Sequence, residues 1–278
     1  HPRFSEQRGA SGSPLFLVYT MLNRIKEIHP ATYIKGGYVR DKILGIESRD
    51  IDFMCIGEYD ELLAKFNDTF DWAVPAGKAH STFLTQIDGE KFEVTVHKSI
   101  LEHQQSCDFT INALLLEEQD KLQVRGQGFW FAHVRMGILK AVSIENLYDD
   151  PIRAIRGIRF KHKYDLRVIP TTQEAINDII PKLTLCDKNA LYGVSKYRSL
   201  TEMQKIFELP NAKEALAELN SLGLQSEFND INDNYGYFDN IAHSLKHYPE
   251  DIRRQIYKKY GFKVVERKTF EKIINDIS

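Results

Sequence analysis

The sequence predicts an α+β protein, a mixed α/β first part followed by an all-helical remainder. Two observations carry this. Short apolar runs broken by glycines and turn residues fill the first hundred residues, and from Asp150 onward apolar residues recur at helical spacing. Residues 1–13 (HPRFSEQRGASGS) are polar, lack an apolar signal core and read as a disordered lead-in or processing remnant. Residues 14–28 form an amphipathic helix. The run ATYIK at 31–35 is strand-like and is broken by Gly36-Gly37, after which 38–44 have helical spacing with Gly45 as a stop. Residues 50–56 read as a buried strand. The runs 83–87 and 91–97 flank Asp88-Gly89-Glu90, a hairpin signal. An apolar stretch at 108–116 precedes a second hairpin-like passage at about 121–142. Helices are then expected at 150–162, at 172–181 behind Pro170 with a Thr171/Glu174 capping box, at 195–208, at 211–222 before Gly223, at 250–260 before Gly261 and at 266–277.

Composition narrows the class. A chain of 278 residues with 42% hydrophobic content buries a sizeable core and holds two or three subdomains. Its longest apolar run, at about 15–22, is too short to span a bilayer, so no membrane association is expected. Cys55, Cys107 and Cys186 are isolated and fit neither a disulfide framework nor a zinc site, which points to a reducing, cytoplasmic compartment. The net charge of −2 means that any nucleic-acid contact must come from local basic patches. There is no internal repeat and no low-complexity block.

The most informative stretch is GGYVRDKILGIESRDIDFMCIG at 36–57. Strand, diglycine turn and helix bring backbone N–H groups up to a polyphosphate at a helix N-terminus, although such a turn alone is often structural. Alternation along 50–56 puts Asp50 and Asp52 on one sheet face. Two neighbouring carboxylates repel each other unless a cation lies between them, and hard oxygen ligands suit Mg²⁺. The alternative is that they pair with Arg40 or Arg49.

That stretch resembles the signature GGxVRDxLLGxxxxDxD of the tRNA nucleotidyltransferase (CCA-adding) and bacterial poly(A) polymerase family, class II. Three more segments follow in the family's order: Phe92-Glu93-Val94-Thr95-Val96, a strand with a further acidic residue; Asp108-Phe109-Thr110-Ile111-Asn112-Ala113-Leu114, the end of RRDFTINAL; and residues 149–160, similar to EDPLRMLRAIRF. The resemblance runs over about 31–208. It implies a mixed-sheet, polymerase-β-like nucleotidyltransferase head at 14–144, an all-helical neck at 145–207 and a partial helical body at 208–278.

What the resemblance implies for chemistry is specific. The phosphates of CTP or ATP would lie over Gly36 and Gly37, with Arg40 and Asp41 in the triphosphate and ribose surroundings; the alternative for those two is an Arg–Asp surface pair. Asp50 and Asp52 would hold a two-metal Mg²⁺ site, with Mn²⁺ as a substitute, one ion activating an RNA 3′-hydroxyl and the other steadying pyrophosphate. Glu93 would complete the carboxylate cluster or else be a solvated hairpin residue. Asp108 would contact ribose with Asn112 in support. Asp150 and Arg153, at i and i+3, would pair with the Watson–Crick edge of cytosine or adenine. Arg156 and Arg159 would continue that face, with Lys161 and Lys163, as a basic stripe for phosphates or the RNA end, a solvated charged face being the alternative.

Departures from the family pattern matter too. Ser106-Cys107 stands where the family has Arg-Arg, and neither side chain replaces that charge. Asp149 replaces a Glu, and the GGLEDL linker is not recognisable. The expected activity is template-independent addition of C and/or A from CTP/ATP to an RNA 3′ end, tRNA first. The alternatives are a poly(A) polymerase or a transferase with another acceptor, and a catalytically inactive RNA-binding relative.

Overall fold

The computed structural model describes residues 14–48, 50–76, 81–117, 124–126, 129–185, 188–224, 250 and 253–254. The chain divides into two compact units, one ending at Asn146 and the other beginning at Leu147.

The first unit opens with α1 (Pro14–Ile28), which buries Tyr19, Met21, Leu22 and Ile25. There follow β1 (Thr32–Lys35), α2 (Gly37–Leu44), β2 (Asp52–Ile56), α3 (Tyr59–Thr69), β3 (Trp72–Pro75), β4 (Thr82–Ile87), β5 (Glu90–His97) and α4 (Ile100–Ser106). A 3₁₀ turn at Thr110–Asn112, β6 (Leu115–Leu116), β7 (Val124–Arg125), α5 (Trp130–Arg135) and β8 (Ile138–Leu139) complete it. Among the described residues the main sheet has seven strands in the order β3-β4-β5-β2-β1-β6-β7. Its pairs are antiparallel except β2 with β5, which run parallel. Alternation explains β4: Phe83, Thr85 and Ile87 are buried while Leu84 faces out. The β4–β5 turn has Asp88 at φ 53° and Gly89 at φ 83°, the two positive angles of a hairpin turn that follows strand twist.

The division falls within α6 (Glu145–Asp149), and the second unit continues with α7 (Ile152–Tyr164), β9 (Arg167–Val168), α8 (Pro170–Ile179), a 3₁₀ turn (Ile180–Lys182), α9 (Lys196–Phe207) and α10 (Ala212–Ser221). Helix α7 packs on α8, α9 and α10. Ile155 and Ile158 are buried, as are Ile176, Ile179, Met203, Ile206, Leu216 and Leu219 on those partners. Gly223, at φ 83°, ends the last of these helices in a conformation that glycine adopts without strain.

Five expectations are corrected. Strand β2 begins at Asp52, not Asp50, because its partner β1 stops at Lys35 opposite Asp52 and Gly36 then turns the chain away. The hairpin expected at 121–142 is instead a short β7 followed by α5, whose Val134 is the buried residue of a helical turn. Helix α3 was not expected in strand territory; Leu62 and Phe66, at i and i+4, bury its inner face, and Asp60 and Glu61 suit its first turn. Helix α8 starts at Pro170 with Ile169 as N-cap and no side-chain cap, so the Thr171/Glu174 box does not form. Proline sets the helical φ itself and needs no partner for an N–H, which moves the start two residues forward. Helix α7 begins at Ile152, which leaves Asp150 before its first turn. The helices expected at 250–260 and 266–277 fall almost wholly outside the described residues. No helix among the described residues is long and apolar enough to cross a membrane.

Candidate functional site

The diglycine turn fixes the site. Gly36 has φ 69° and ψ −126°, a combination open only to glycine, and its N–H donates to the Leu114 carbonyl at 3.1 Å. Gly37 opens α2, and a Cβ there would lie 3.3 Å from Arg40 Nη2. The missing side chain is what lets the Arg40 guanidinium fold back over the helix start.

Arg40, Asp41, Asp108 and Asn112 are brought together in a buried polar chain. Arg40 Nε donates to Asp41 Oδ1 at 2.9 Å and its Nη1 to Asn112 Oδ1. Asn112 Nδ2 donates to Asp108 Oδ1 at 2.9 Å, and the Phe109 N–H donates to the same oxygen at 2.7 Å. Arg40, Asp41 and Asp108 are each under a tenth exposed, so Arg40 and Asp41 form no surface pair. This chain ties α2 to the 108–112 turn and holds the glycine bend rigid. Ser106 Oγ donates to the His103 carbonyl, as does Cys107 Sγ, so the residues standing for Arg-Arg engage the backbone of α4.

The acidic residues gather at the end of the central strands. Lys35, Asp52 and Glu93 are direct ladder partners across β1, β2 and β5, so all three project from one sheet face. Asp50 lies just before β2 and is exposed. The Asp52 carboxyl is pushed above the ordinary range, chiefly by burial and further by Glu93 and Asp50, with Lys35 opposing. A divalent cation removes that penalty, and the donor set (two carboxylates, one of them strained by its own charge) fits one. Arg49, the other candidate partner for these aspartates, is outside the described residues. Glu93 is not solvated alone: Lys35 Nζ lies 3.2 Å from its Oε1 and also donates to Thr95 Oγ1. The sequence reading passed over Lys35. The only signal available was a lysine at the inner end of an apolar strand, directly before the glycines.

In the second unit, Asp150 is gripped by two guanidiniums. Arg198 donates Nη1 to Oδ1 at 2.8 Å and Nη2 to Oδ2 at 2.6 Å, while Arg153 Nε lies 3.3 Å from Oδ2. Arg156 is half-buried with its guanidinium 5.8 Å from the Phe160 ring centre. The stripe expected beyond it is exposed only in part: Lys163 faces solvent and Lys161 is half-buried. Arg159 is buried in an ion pair with Glu202 and lies 4.3 Å over the Phe160 ring. Lys161 and His162 share Glu218, and Lys163 lies over Tyr164.

With this geometry in hand, comparison with known families finds one match: residues 32–107 are similar to the poly A polymerase head domain. The head contains β1 through α4, and with them the diglycine bend, Asp50, Asp52, Lys35 and Glu93. The chain is 29% identical over 219 residues to a CCA-adding enzyme of Streptococcus pyogenes serotype M2, covering 72% of this chain and 51% of that one. A CCA-adding enzyme of Bacillus licheniformis is 26% identical over 228 residues, covering 74% and 54%. The chain thus spans about half the length of the curated relatives it matches. Among solved structures, Bacillus stearothermophilus CCA-adding enzyme in complex with CTP superposes with TM-score 0.65 at 19% identity, covering 95% of this chain and 68% of that one. Thermotoga maritima CCA-adding enzyme complexed with tRNA gives 0.63 at 17%, covering 92% and 71%. These structural likenesses carry the fold, and they bear out the expected mixed-sheet head with helices after it.

Proposed function

We propose that this chain catalyses template-independent transfer of CMP and AMP from CTP and ATP to an RNA 3′ end, with tRNA as acceptor. The observation that carries the reading is the pairing, within one head domain, of a glycine-only bend at a helix start with Asp50 and Asp52 beside it. The CCA-adding relatives, matched over nearly three quarters of this chain, name the chemistry.

In this reading the N–H groups at Gly36 and Gly37 receive the triphosphate at the N-terminus of α2. Asp50 and Asp52 would hold Mg²⁺, which when bound would supply charge neutralisation at the phosphates and a lowered pKa for the attacking hydroxyl. The RNA 3′-oxygen forms a bond to the α-phosphorus, the bond to the β-phosphate oxygen breaks, and pyrophosphate leaves with the electron pair. The hydroxyl proton passes to an Asp carboxylate or to water. The Arg40–Asp41–Asn112–Asp108 chain holds the bend in place. Asp150 and Arg153 present an acceptor and a donor to the base edge.

The test is incubation with labelled CTP and ATP, tRNA lacking its CCA end, and Mg²⁺. Addition of two C and one A is expected. Absence of incorporation with either Mg²⁺ or Mn²⁺ refutes the proposal. Ser106 and Cys107, uncharged where the family signature carries two arginines, favour one other outcome in the same assay: long A tails, or transfer only to a different RNA.

A further inference from the structure

We propose that Lys35 is a positioning residue of this site: its ammonium group holds the Glu93 carboxylate off the divalent cation, so that Asp50 and Asp52 carry the cation without a third acidic ligand. The inference rests on the reading of Asp50 and Asp52 as a cation site.

The register makes the case. Lys35 and Glu93 flank Asp52 from opposite sides, as its ladder partners on β1 and β5. Neighbouring strands lie about 4.8 Å apart, so the Cα atoms of Lys35 and Glu93 are roughly twice that distance from each other. The lysine side chain nevertheless crosses the row, past Asp52, to reach Glu93 Oε1 at 3.2 Å and Thr95 Oγ1. Its side chain is only 15% exposed against 44% for Glu93, so the ammonium sits at the floor of the site and not at its rim. Lys91, two residues before Glu93 on β5, is exposed, whereas Lys35 is held at the floor of the site. Burial lowers the pKa of His97 and of His103, which leaves both imidazoles neutral at pH 7.

Two consequences follow. Glu93, tethered to Lys35 and Thr95, is turned from a potential ligand into the counter-ion of a lysine. The second consequence is electrostatic. Asp50, Asp52 and Glu93 together with Lys35 carry a net charge of −2, balanced by one divalent ion, and the fixed positive charge weakens that ion's binding.

The test is Mn²⁺ binding to the full chain, followed by electron paramagnetic resonance of the free ion, in a double-mutant cycle. Glu93→Gln in the native background is expected to change the Kd less than twofold. Lys35→Met should tighten binding by about tenfold, since a unit charge beside a divalent ion is removed and Glu93 is released. Lys35→Met with Glu93→Gln should lose most of that gain, and Lys35→Arg should bind as the native chain does. The proposal is overturned if Glu93→Gln weakens Mn²⁺ binding as much in the native background as in Lys35→Met, or if Lys35→Met binds no tighter. Circular dichroism checks the fold of each variant, and the Glu93→Gln result in the native background decides the matter should Lys35→Met not fold. Asp52→Asn separates the two layers of inference: unchanged Mn²⁺ binding in that variant refutes the cation site itself.

Discussion

Asp52 sits where its own charge is disfavoured. Burial is the largest cause, and the neighbouring Glu93 and Asp50 add to it. A carboxyl whose folded pKa lies above its unfolded value contributes stability at low pH and loses it as pH rises through the folded pKa. At neutral pH the metal-free protein therefore carries a cost at this residue. Asp52→Asn is expected to raise the thermal midpoint, with a gain of about 0.5–2 kcal/mol, while nucleotide transfer falls below detection; a variant that is less stable, or still active, contradicts the assignment. His103 has the opposite sign. Its ring is 4% exposed, and burial first, then the charges of His97 and Lys35, push its pKa down to about 3. It is neutral when folded and takes up a proton when unfolded, so stability is full above about pH 6.5 and is lost on acidification toward the folded value. One such group costs about 1.4 kcal/mol per pH unit, or roughly 2 kcal/mol between pH 6.5 and 5. Urea midpoints at pH 7 and pH 5 should therefore separate more in the native chain than in His103→Leu, and equal separations would falsify this account.

At the scale of elements, α7 shows what an i, i+3 series does on a real helix. Arg153, Arg156 and Arg159 look collinear in the sequence, but each step of three residues drifts by about 60° from the starting face. By Arg159 the drift is about 120°, which carries the side chain into the packing against α9 and onto Glu202. Buried pairs behave asymmetrically: losing one partner leaves a charge without compensation, whereas replacing both with apolar groups does not. Glu202→Ala should cost about 3–5 kcal/mol in urea unfolding, and Glu202→Leu combined with Arg159→Met should recover most of that loss. Additive losses in the double variant refute the pairing. Local signals were legible where a residue has one conformational answer, as at Gly36, Gly45, Gly223 and the Asp88-Gly89 turn, and where periodicity is long, as in α7, α9 and α10. Residues 129–131 fall within the hairpin-like passage expected at about 121–142, yet a six-residue helix, Trp130–Arg135, forms there. Propensity over so short a run is overridden by tertiary packing.

For the molecule as a whole, what the sequence could not display is contact across distance. Lys35 meets Glu93 over 58 residues, Arg198 meets Asp150 over 48 and Arg159 meets Glu202 over 43. The motif residues were readable because the head's ladder register places them, but the residues that tether them appear only once the strands and helices are assembled. The two units also divide the proposed work: the head holds the cation and triphosphate groups, and the second unit holds the pair that reads the base. With both Asp150 oxygens already held by Arg198, removal of Arg153 leaves that carboxylate anchored. Arg153→Ala should therefore leave Mn²⁺ affinity within twofold of native while the ratio of kcat/KM values for CTP and ATP against UTP and GTP falls by about tenfold or more, the scale of one lost base-edge contact. Initial rates with each triphosphate, set beside the Mn²⁺ titration, measure both quantities on the same preparation. A variant that keeps its base preference takes Arg153 out of base reading. One that loses Mn²⁺ affinity shows instead that the two functions are not separable in this chain.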